Sequence, residues 1–171
     1  MMLINNGAAV DHKSNGGWTP LHIAAKYNLL GAANLLVDYG ASMDVKTEKS
    51  GWPPLITAAY NNSVDIVNYL VKRGVEIDSR SSLGWTPLMN AAISDSREAL
   101  NYLLTNGADK DAVNEEGQTA LALAIGRKRY AVVTLLLKYG ASPDIKDVQG
   151  KTARILAEES RDERIIELIN K

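Results

Sequence analysis

Two short segments carry residue types that bind phosphate or calcium in other proteins. Gly150-Lys151-Thr152 is like the end of a phosphate-binding loop, but that loop needs a glycine five residues before Gly150, where Ile145 stands. Asp109-Lys110-Asp111 begins like a calcium loop, but Val113 occupies the next ligand position and no glycine follows it. The sequence therefore predicts a turn and a helix N-cap at the first segment and a solvated hairpin at the second.

Catalytic and metal-binding side chains are scarce. The chain has no cysteine and two histidines, His12 and His22. The lack of cysteine excludes disulfides, thiolate zinc ligands and thiol nucleophiles, and two histidines do not complete a zinc site without carboxylates. No set of serine, histidine and aspartate and no carboxylate pair is placed for catalysis. We expect no enzymatic activity, no cofactor and no metal.

The composition narrows the class of partner. The 171 residues include 19 Lys and Arg and 20 Asp and Glu, 46% are hydrophobic, and the formal net charge is -1. This balance lacks the positive excess on which phosphate binding depends, while the apolar content is sufficient for a folded core. No apolar run approaches the roughly 18–20 residues of a membrane-spanning helix. We expect no nucleic-acid partner, no membrane insertion, and a cytoplasmic or nuclear location.

The residues best suited to recognition are three tryptophans. Trp18, Trp52 and Trp85 each follow a glycine and precede a Thr-Pro or Pro-Pro step, and they are 34 and 33 residues apart. Tryptophan is enriched at binding hot spots, and helices packed about 8–10 Å apart would arrange the three indoles as a ladder. The same side chains could instead brace one turn against the next, and both interpretations stay open here.

The tryptophans belong to a repeat of about 33 residues that runs through the chain. One ladder of glycines consists of Gly17, Gly51, Gly84, Gly117 and Gly150. A second consists of Gly7, Gly40, Gly74, Gly107 and Gly140. Each period predicts a short helix, a tight turn, an amphipathic second helix and a projecting hairpin. Both ladders gain one residue within residues 41–50.

Start and stop signals define the two helices of each period. Threonines suited to N-caps are Thr19, Thr86, Thr119 and Thr152. Residues suited to a left-handed stop of the first helix are Asn28, Asn62, Asp95 and Lys128. The second helix is predicted to end at the second glycine ladder, because glycine adopts the left-handed conformation freely.

The repeat resembles the ankyrin family. Thr19-Pro20-Leu21-His22-Ile23-Ala24-Ala25 matches its Thr-Pro-Leu-His-x-Ala-Ala motif, and residues 35–41 match the end of its second helix. The resemblance implies an all-α fold with β-hairpin turns, an ankyrin-repeat solenoid whose concave face binds other proteins and catalyses nothing. It also implies that His22 hydrogen-bonds Thr19 and nearby backbone. The last repeat departs from the pattern, since Arg154 stands where a core leucine is expected.

The expected organisation is a single domain over residues 1–171. It comprises a partial repeat and hairpin at 1–16, repeats at 17–50, 51–83, 84–116 and 117–149, and a C-terminal capping repeat at 150–171. Residues 1–6 align with residues 34–39, which predicts that they end a second helix whose first helix is missing. We therefore expect a C-terminal part of a longer array or an excised domain, with a complete small protein as the alternative.

The expected partner is a protein or peptide, bound by a chain that is monomeric in isolation. The candidate binding residues are Trp18, Trp52, Trp85, Tyr27, Tyr60, Thr57, Asn90, Lys13, Lys46, Lys49 and Arg80. The two tyrosines end first helices beside the tryptophans. Thr57 and Asn90 replace apolar residues, so either neighbouring backbone satisfies them or they face the groove.

The basic residues of the early hairpins favour a partner segment of acidic character. A scattered, solvated set of charges explains the same residues and is the default interpretation at physiological salt. Two functions remain open. The chain is either a protein-interaction module that uses its concave face and hairpin tips, or a structural or regulatory segment of a larger enzyme, channel or effector without autonomous binding.

Overall fold

The computed structural model describes residues 9–170. Within that range ten helices form five consecutive pairs, and no strand is present. The pairs are α1 (Pro20–Lys26) with α2 (Leu30–Asp38), α3 (Pro54–Tyr60) with α4 (Val64–Lys72), α5 (Pro87–Ser94) with α6 (Arg97–Thr105), α7 (Ala120–Gly126) with α8 (Tyr130–Lys138), and α9 (Ala153–Glu159) with α10 (Glu163–Ile169). The predicted all-α repeat stack is confirmed.

The helices form two layers. The first helices α1, α3, α5, α7 and α9 pack on one another in that order, and the second helices α2, α4, α6, α8 and α10 do the same. The first layer is packed more closely, because paired alanines such as Ala58 and Ala59, both 0% exposed, let neighbouring backbones approach. The first helices thus form the more closely packed layer, and we call its open surface the inner face of the stack.

The predicted helix starts are confirmed in the later repeats. The hydroxyls of Thr86, Thr119 and Thr152 accept the amide three residues ahead at 3.2–3.3 Å. Pro53 takes the N-cap position of α3 and has no hydroxyl to offer. Threonine at this position therefore satisfies an amide of the first helical turn that would otherwise lack a partner.

The predicted left-handed stops of the first helices are also confirmed. Asn28, Asn62, Asp95 and Lys128 have φ between 53° and 62°. The two asparagines do more than turn the chain, because their side chains reach the next repeat. The Oδ1 of Asn28 accepts the amide of Ile66, and that of Asn62 accepts the amide of Ala99, at 3.3 and 3.0 Å. Each therefore caps the second helix of the following pair.

The loops that precede each of the five helix pairs project from the stack, and we call them tip loops 1 to 5. They cover residues 11–18, 44–52, 77–85, 110–118 and 143–151. Each is closed by one backbone bond, such as that from the Ser14 amide to the Trp18 carbonyl at 3.0 Å. The predicted hairpins are thus turns without a strand ladder in the described residues.

Neighbouring tip loops are joined by a backbone bond as well. The Ser82 amide donates to the Ser50 carbonyl at 3.2 Å, and the other neighbouring pairs of tip loops repeat this contact. Gly51, with φ 62°, permits the approach, because a Cβ there would lie 2.6 Å from the Ser82 nitrogen. The first glycine ladder therefore reflects close contact between loops as well as turn geometry.

The last repeat shows why Arg154 replaces leucine. Its side chain is half-buried, with Nε 3.1 Å from Oδ1 of Asp144. Its Nη1 donates to the Ile169 carbonyl at 3.3 Å and to Oδ1 of Asn170 at 3.0 Å. Arg154 thus connects the end of α10 to tip loop 5 and satisfies a helix-terminal carbonyl. The helix predicted for residues 1–6 lies outside the described residues.

Candidate functional site

The segments that look like phosphate and calcium loops have local structural roles. Thr152 caps α9, and the ammonium of Lys151 lies 2.6 Å from Oε2 of Glu159. The carboxylate of Asp111 accepts the amide of Ser142 at 2.7 Å. Within residues 9–170, no three His, Asp or Glu side chains are grouped so that they could hold a metal ion.

His22 connects the first repeat to the second. It is 0% exposed, its Nδ1 accepts the Thr19 amide at 3.2 Å, and its Nε2 lies 2.9 Å from the Trp52 carbonyl. These partners fit a neutral ring that carries its proton on Nε2. Burial lowers the pKa of His22 below its ordinary value of 6.5, against the raising effect of the Trp52 carbonyl. The implied bonds to Thr19 and nearby backbone are confirmed.

Trp18 lies beside a lysine and a tyrosine at the end of α1. The ammonium of Lys26 lies 5.9 Å from the Trp18 ring centroid and 5.1 Å from the Tyr27 ring centroid. On its other side, Trp18 has a tilted contact with the His22 ring at 5.8 Å. The indole is therefore held by its own repeat while remaining partly exposed.

Trp52 continues this surface into the second repeat. Its ring lies 5.2 Å from that of Tyr60 in a tilted arrangement, the geometry that aromatic pairs prefer. Trp18 and Trp52 both line one cleft of about 320 Å³ between tip loops 1 and 2. Lys26 thus links Tyr27 to Trp18, the cleft links Trp18 to Trp52, and a ring contact links Trp52 to Tyr60. We call these four aromatic residues the aromatic strip.

Trp85 has different surroundings from the other two tryptophans. It packs against the hydrophobic core, and its amide donates to Oγ of Ser81 at 3.1 Å. The residue that corresponds to Tyr60 in its repeat is Ile93, so the aromatic strip is not repeated there. The expected ladder of equivalent indoles is therefore uneven in its contacts.

Thr57 and Asn90 lie inside the stack, 0% and 1% exposed. The Asn90 amide nitrogen donates to the Thr86 carbonyl at 2.9 Å. The hydroxyl of Thr57 and Oδ1 of Asn90 have no hydrogen-bond partner among the described residues. Backbone thus provides a partner for the amide nitrogen of Asn90 but not for its oxygen. Neither side chain lies on the open surface of the inner face.

The predicted basic residues fall into two groups. Lys13, Lys46 and Lys49 are exposed, and no carboxylate in residues 9–170 forms an ion pair with them. Arg80 instead donates from Nη1 to the Val113 carbonyl at 2.7 Å and to the Gly84 carbonyl at 3.2 Å. Arg80 therefore joins tip loops 3 and 4.

Comparison with known proteins identifies the repeat. The family model of ankyrin repeats (3 copies) matches residues 1–81, 40–114 and 88–171, which together span the chain. The chain belongs to the ankyrin-repeat family. Ankyrin repeats are generally protein–protein interaction modules and are generally not enzymes.

This ankyrin-repeat chain is also similar to Delta-latroinsectotoxin-Lt1a of Latrodectus tredecimguttatus. The two are 39% identical over 49 residues, which is 29% of this chain and 4% of that protein. The chain therefore spans a small fraction of the length of this relative, and the similarity concerns a short stretch of the repeats.

Sequence reasoning missed two features of the ankyrin stack. Lys26 was not a candidate, although its position next to Tyr27 on the last turn of α1 was a usable signal. The first helix pair also exposes apolar side chains. Ile23 and Leu29 are 43% and 48% exposed and line an apolar cavity of about 510 Å³.

Among the described helices, none is long and apolar enough to cross a membrane.

Proposed function

We propose that this ankyrin-repeat chain binds a partner protein or peptide on the inner side of its stack, with the aromatic strip at the centre of the contact. The observation that carries the proposal is the cleft lined by Trp18 and Trp52 between tip loops 1 and 2. Tyr27 and Tyr60 extend the surface on either side and are 59% and 39% exposed. Exposed aromatic area of this kind is typical of binding hot spots.

The strip is held in place before a partner arrives. Trp18 contacts the His22 ring and the Lys26 ammonium, and Trp52 contacts Tyr60. The Trp52 backbone is fixed in turn by the hydrogen bond that its carbonyl accepts from Nε2 of His22. Because these rings lose little freedom on binding, more of the contact energy contributes to affinity.

The other candidate residues have graded roles in this proposal. Lys13, Lys46 and Lys49 form the charged rim of the surface, and Trp85 supports it from the third repeat. Thr57, Asn90 and Arg80 act through the stack, since they are buried or bonded to neighbouring loops. A monomeric state and a cytoplasmic or nuclear location complete the proposal, and the absence of cysteine supports the location.

The test is the combined substitution Trp18→Ala, Trp52→Ala and Trp85→Ala in the full chain. A partner captured from an extract of the source organism should be lost, with affinity lowered by at least about thirtyfold, the effect of removing one hot spot. Circular dichroism should show unchanged helical content. The matched control is Gln118→Ala with Lys151→Ala, which changes the same register position in the fourth and fifth repeats.

Unchanged capture by the triple variant, with its helical content intact, would contradict the proposal. A partner lost equally from the control would place the contact elsewhere on the stack. Size-exclusion chromatography with light scattering checks the monomeric state, because a stable dimer at micromolar concentration would contradict it.

A second candidate function is that of a structural or regulatory segment in a larger protein. The apolar cavity beside Ile23, Leu29 and Leu35 favours it, because exposed apolar surface at the end of a stack is typically covered by a further repeat or another domain. The same triple variant separates the candidates. This alternative expects partners and stability to be unchanged.

A further inference from the structure

The lysines around the aromatic strip have no ion-pair partners. Ion pairs occur elsewhere in residues 9–170, and their basic members are Arg73, Arg97, Lys110, Lys128, Lys151 and Arg154. Lys26 and Lys49, which contact or flank Trp18, are not among them. Their positive charge is therefore not neutralised within the described part of the chain.

Lys26 is held in a defined position although it is exposed. Its ammonium lies over both the Trp18 and Tyr27 rings, at 5.9 and 5.1 Å from their centroids. None of the hydrogen bonds among the described residues uses this ammonium. Cation–π contact with two rings orients the group, and its N–H donors remain available to an anion on the solvent side.

Lys49 stands at the cleft itself. It lines the 320 Å³ space together with Trp18 and Trp52, and the remaining lining includes the small polar residues Ser14 and Asn15. Tip loop 2 contains two acidic residues, Asp44 and Glu48, and Glu48 is next to Lys49. The cleft therefore combines two indoles with small polar lining residues. The unpaired ammonium of Lys49 lies at the cleft, and that of Lys26 lies beside Trp18.

The charge of the tip loops changes farther along the stack. Tip loop 4 carries Glu115 and Glu116, both exposed, where the first two tip loops carry lysines. Tip loops 1 and 2 have equal numbers of lysines and acidic residues, whereas tip loop 4 has an acidic excess. An acidic ligand is therefore repelled from tip loop 4 and not from the first two tip loops. Complementarity of this kind determines where a ligand sits and how fast it arrives.

We propose that the partner recognised by the aromatic strip is an acidic peptide segment. One large apolar side chain enters the cleft between Trp18 and Trp52, and carboxylates on either side of it pair with Lys26 and Lys49. The segment is extended across tip loops 1 and 2 and does not reach tip loop 4. This inference rests on the proposed function and specifies the chemistry of the ligand.

A single-stranded nucleic acid also combines flat rings with negative charge. The observations favour the peptide, because the whole chain has a net charge of -1 and tip loop 4 repels a long polyanion. A short acidic segment with an apolar anchor avoids that repulsion.

The experiment selects phage-displayed random peptides on the full chain and measures the affinity of the synthesised winners by fluorescence anisotropy. The expected winners carry Asp or Glu on both sides of an aromatic or large aliphatic residue. Lys26→Gln combined with Lys49→Gln should lower their affinity about tenfold, since an exposed charge pair contributes up to about fivefold. Raising the salt concentration should slow their association.

The matched control is Lys110→Gln combined with Lys151→Gln, which removes the same charge from tip loops 4 and 5 and should leave affinity unchanged. Winners without acidic residues that still depend on Trp18 and Trp52 would overturn this inference and leave the proposed function standing. Winners that ignore both tryptophans, or no winners, would overturn both. Tighter binding of oligothymidylate at the same lysines would assign the surface to nucleic acid.

Discussion

The lysines of residues 9–50 and the basic residues of the last two repeats differ in their partners. In residues 9–50 none of the four lysines forms an ion pair with a described carboxylate. In the last two repeats, Lys128 pairs with Asp162, Lys151 with Glu159 and Arg154 with Asp144. The same residue types therefore remain open to a ligand at one end and strengthen contacts within the chain at the other.

The aromatic residues show the same division. Trp18 and Trp52 share an open cleft in the first two repeats. In the last two, Tyr130 is covered by the Arg164 guanidinium at 4.4 Å, and its hydroxyl donates to Asp162 at 2.8 Å. A repeat architecture thus lets one register carry recognition at one end and stability at the other without changing the backbone.

The largest expected effect is on the free energy of unfolding, which glycine-to-alanine substitutions should lower more in tip loop 2 than in tip loop 5. Gly51 and Gly150 both have positive φ, 62° and 76°, but a Cβ at Gly51 would meet the Ser82 backbone whereas one at Gly150 would meet nothing within 4 Å. Gly150→Ala should cost about 1–2 kcal/mol from backbone strain alone. Gly51→Ala should cost about 2–5 kcal/mol, because displacement of tip loop 3 is added. Urea unfolding measures both, and equal costs would show that contact between the tip loops is not tight.

In the first repeat, the substitution His22→Leu should have an intermediate effect on the free energy of unfolding. The substitution leaves the Trp52 carbonyl and the Thr19 amide without their buried partner, so unfolding free energy should fall by about 1–3 kcal/mol. The variant should also lose a pH dependence. Because burial holds the pKa of His22 below 6.5, the unfolded chain takes up a proton first.

The wild-type chain should therefore lose stability as pH falls below about 6.5, until the folded histidine is protonated as well. His22→Leu should lack this loss. Urea unfolding at several pH values measures it, with the exposed His12→Gln as the control that retains the loss. A wild-type profile that is flat between neutral pH and pH 5 would contradict the assignment.

The smallest effect is expected in the last repeat. The bond from the Tyr130 hydroxyl, with help from Lys128, lowers the pKa of the Asp162 carboxyl below its ordinary value of 3.8. The stability from this contact is present above about pH 3.8 and is lost as pH falls through the lowered pKa. Tyr130→Phe should therefore reduce the slope with which stability falls as pH is lowered below about 3.8.

Tyr102→Phe is the matched control, because the Tyr102 hydroxyl donates to the neutral Asn68 amide at 2.9 Å. It should leave the slope of stability against pH unchanged below pH 3.8. If both variants behave alike, the loss of stability at low pH comes from groups other than Asp162.

The repeat register, the helix pairs and most helix ends could be predicted because they depend on local chemistry. Threonine caps and left-handed backbone turns act within a few residues of their own position, so the sequence contains the whole interaction. The bonds from Asn28 and Asn62 to the next repeat are not local and were not predicted. The difference between Trp52 and Trp85 could not be predicted. The difference depends on Tyr60 in the second repeat and Ile93 in the third. These residues take corresponding positions only once the first helices are formed.

Residues that act between repeats were also misplaced by sequence reasoning. Arg80 looked like a free cation of a hairpin tip, but its partners are carbonyls of tip loops 3 and 4. Arg154 stands where a core leucine was expected, and its partners are 10 to 16 residues away. In both cases a backbone acceptor, which any residue type supplies, completes the contact, and the sequence carries no sign of it.

The cleft between tip loops 1 and 2 lies across a repeat boundary, and this has a thermodynamic consequence. In a stack where each repeat contacts only its neighbours, stability is a sum of repeat and interface contributions. A ligand that touches Trp18 and Trp52 at once adds its binding free energy to that one interface. Occupancy would therefore raise folding cooperativity, so that the first repeat unfolds together with the second instead of fraying alone.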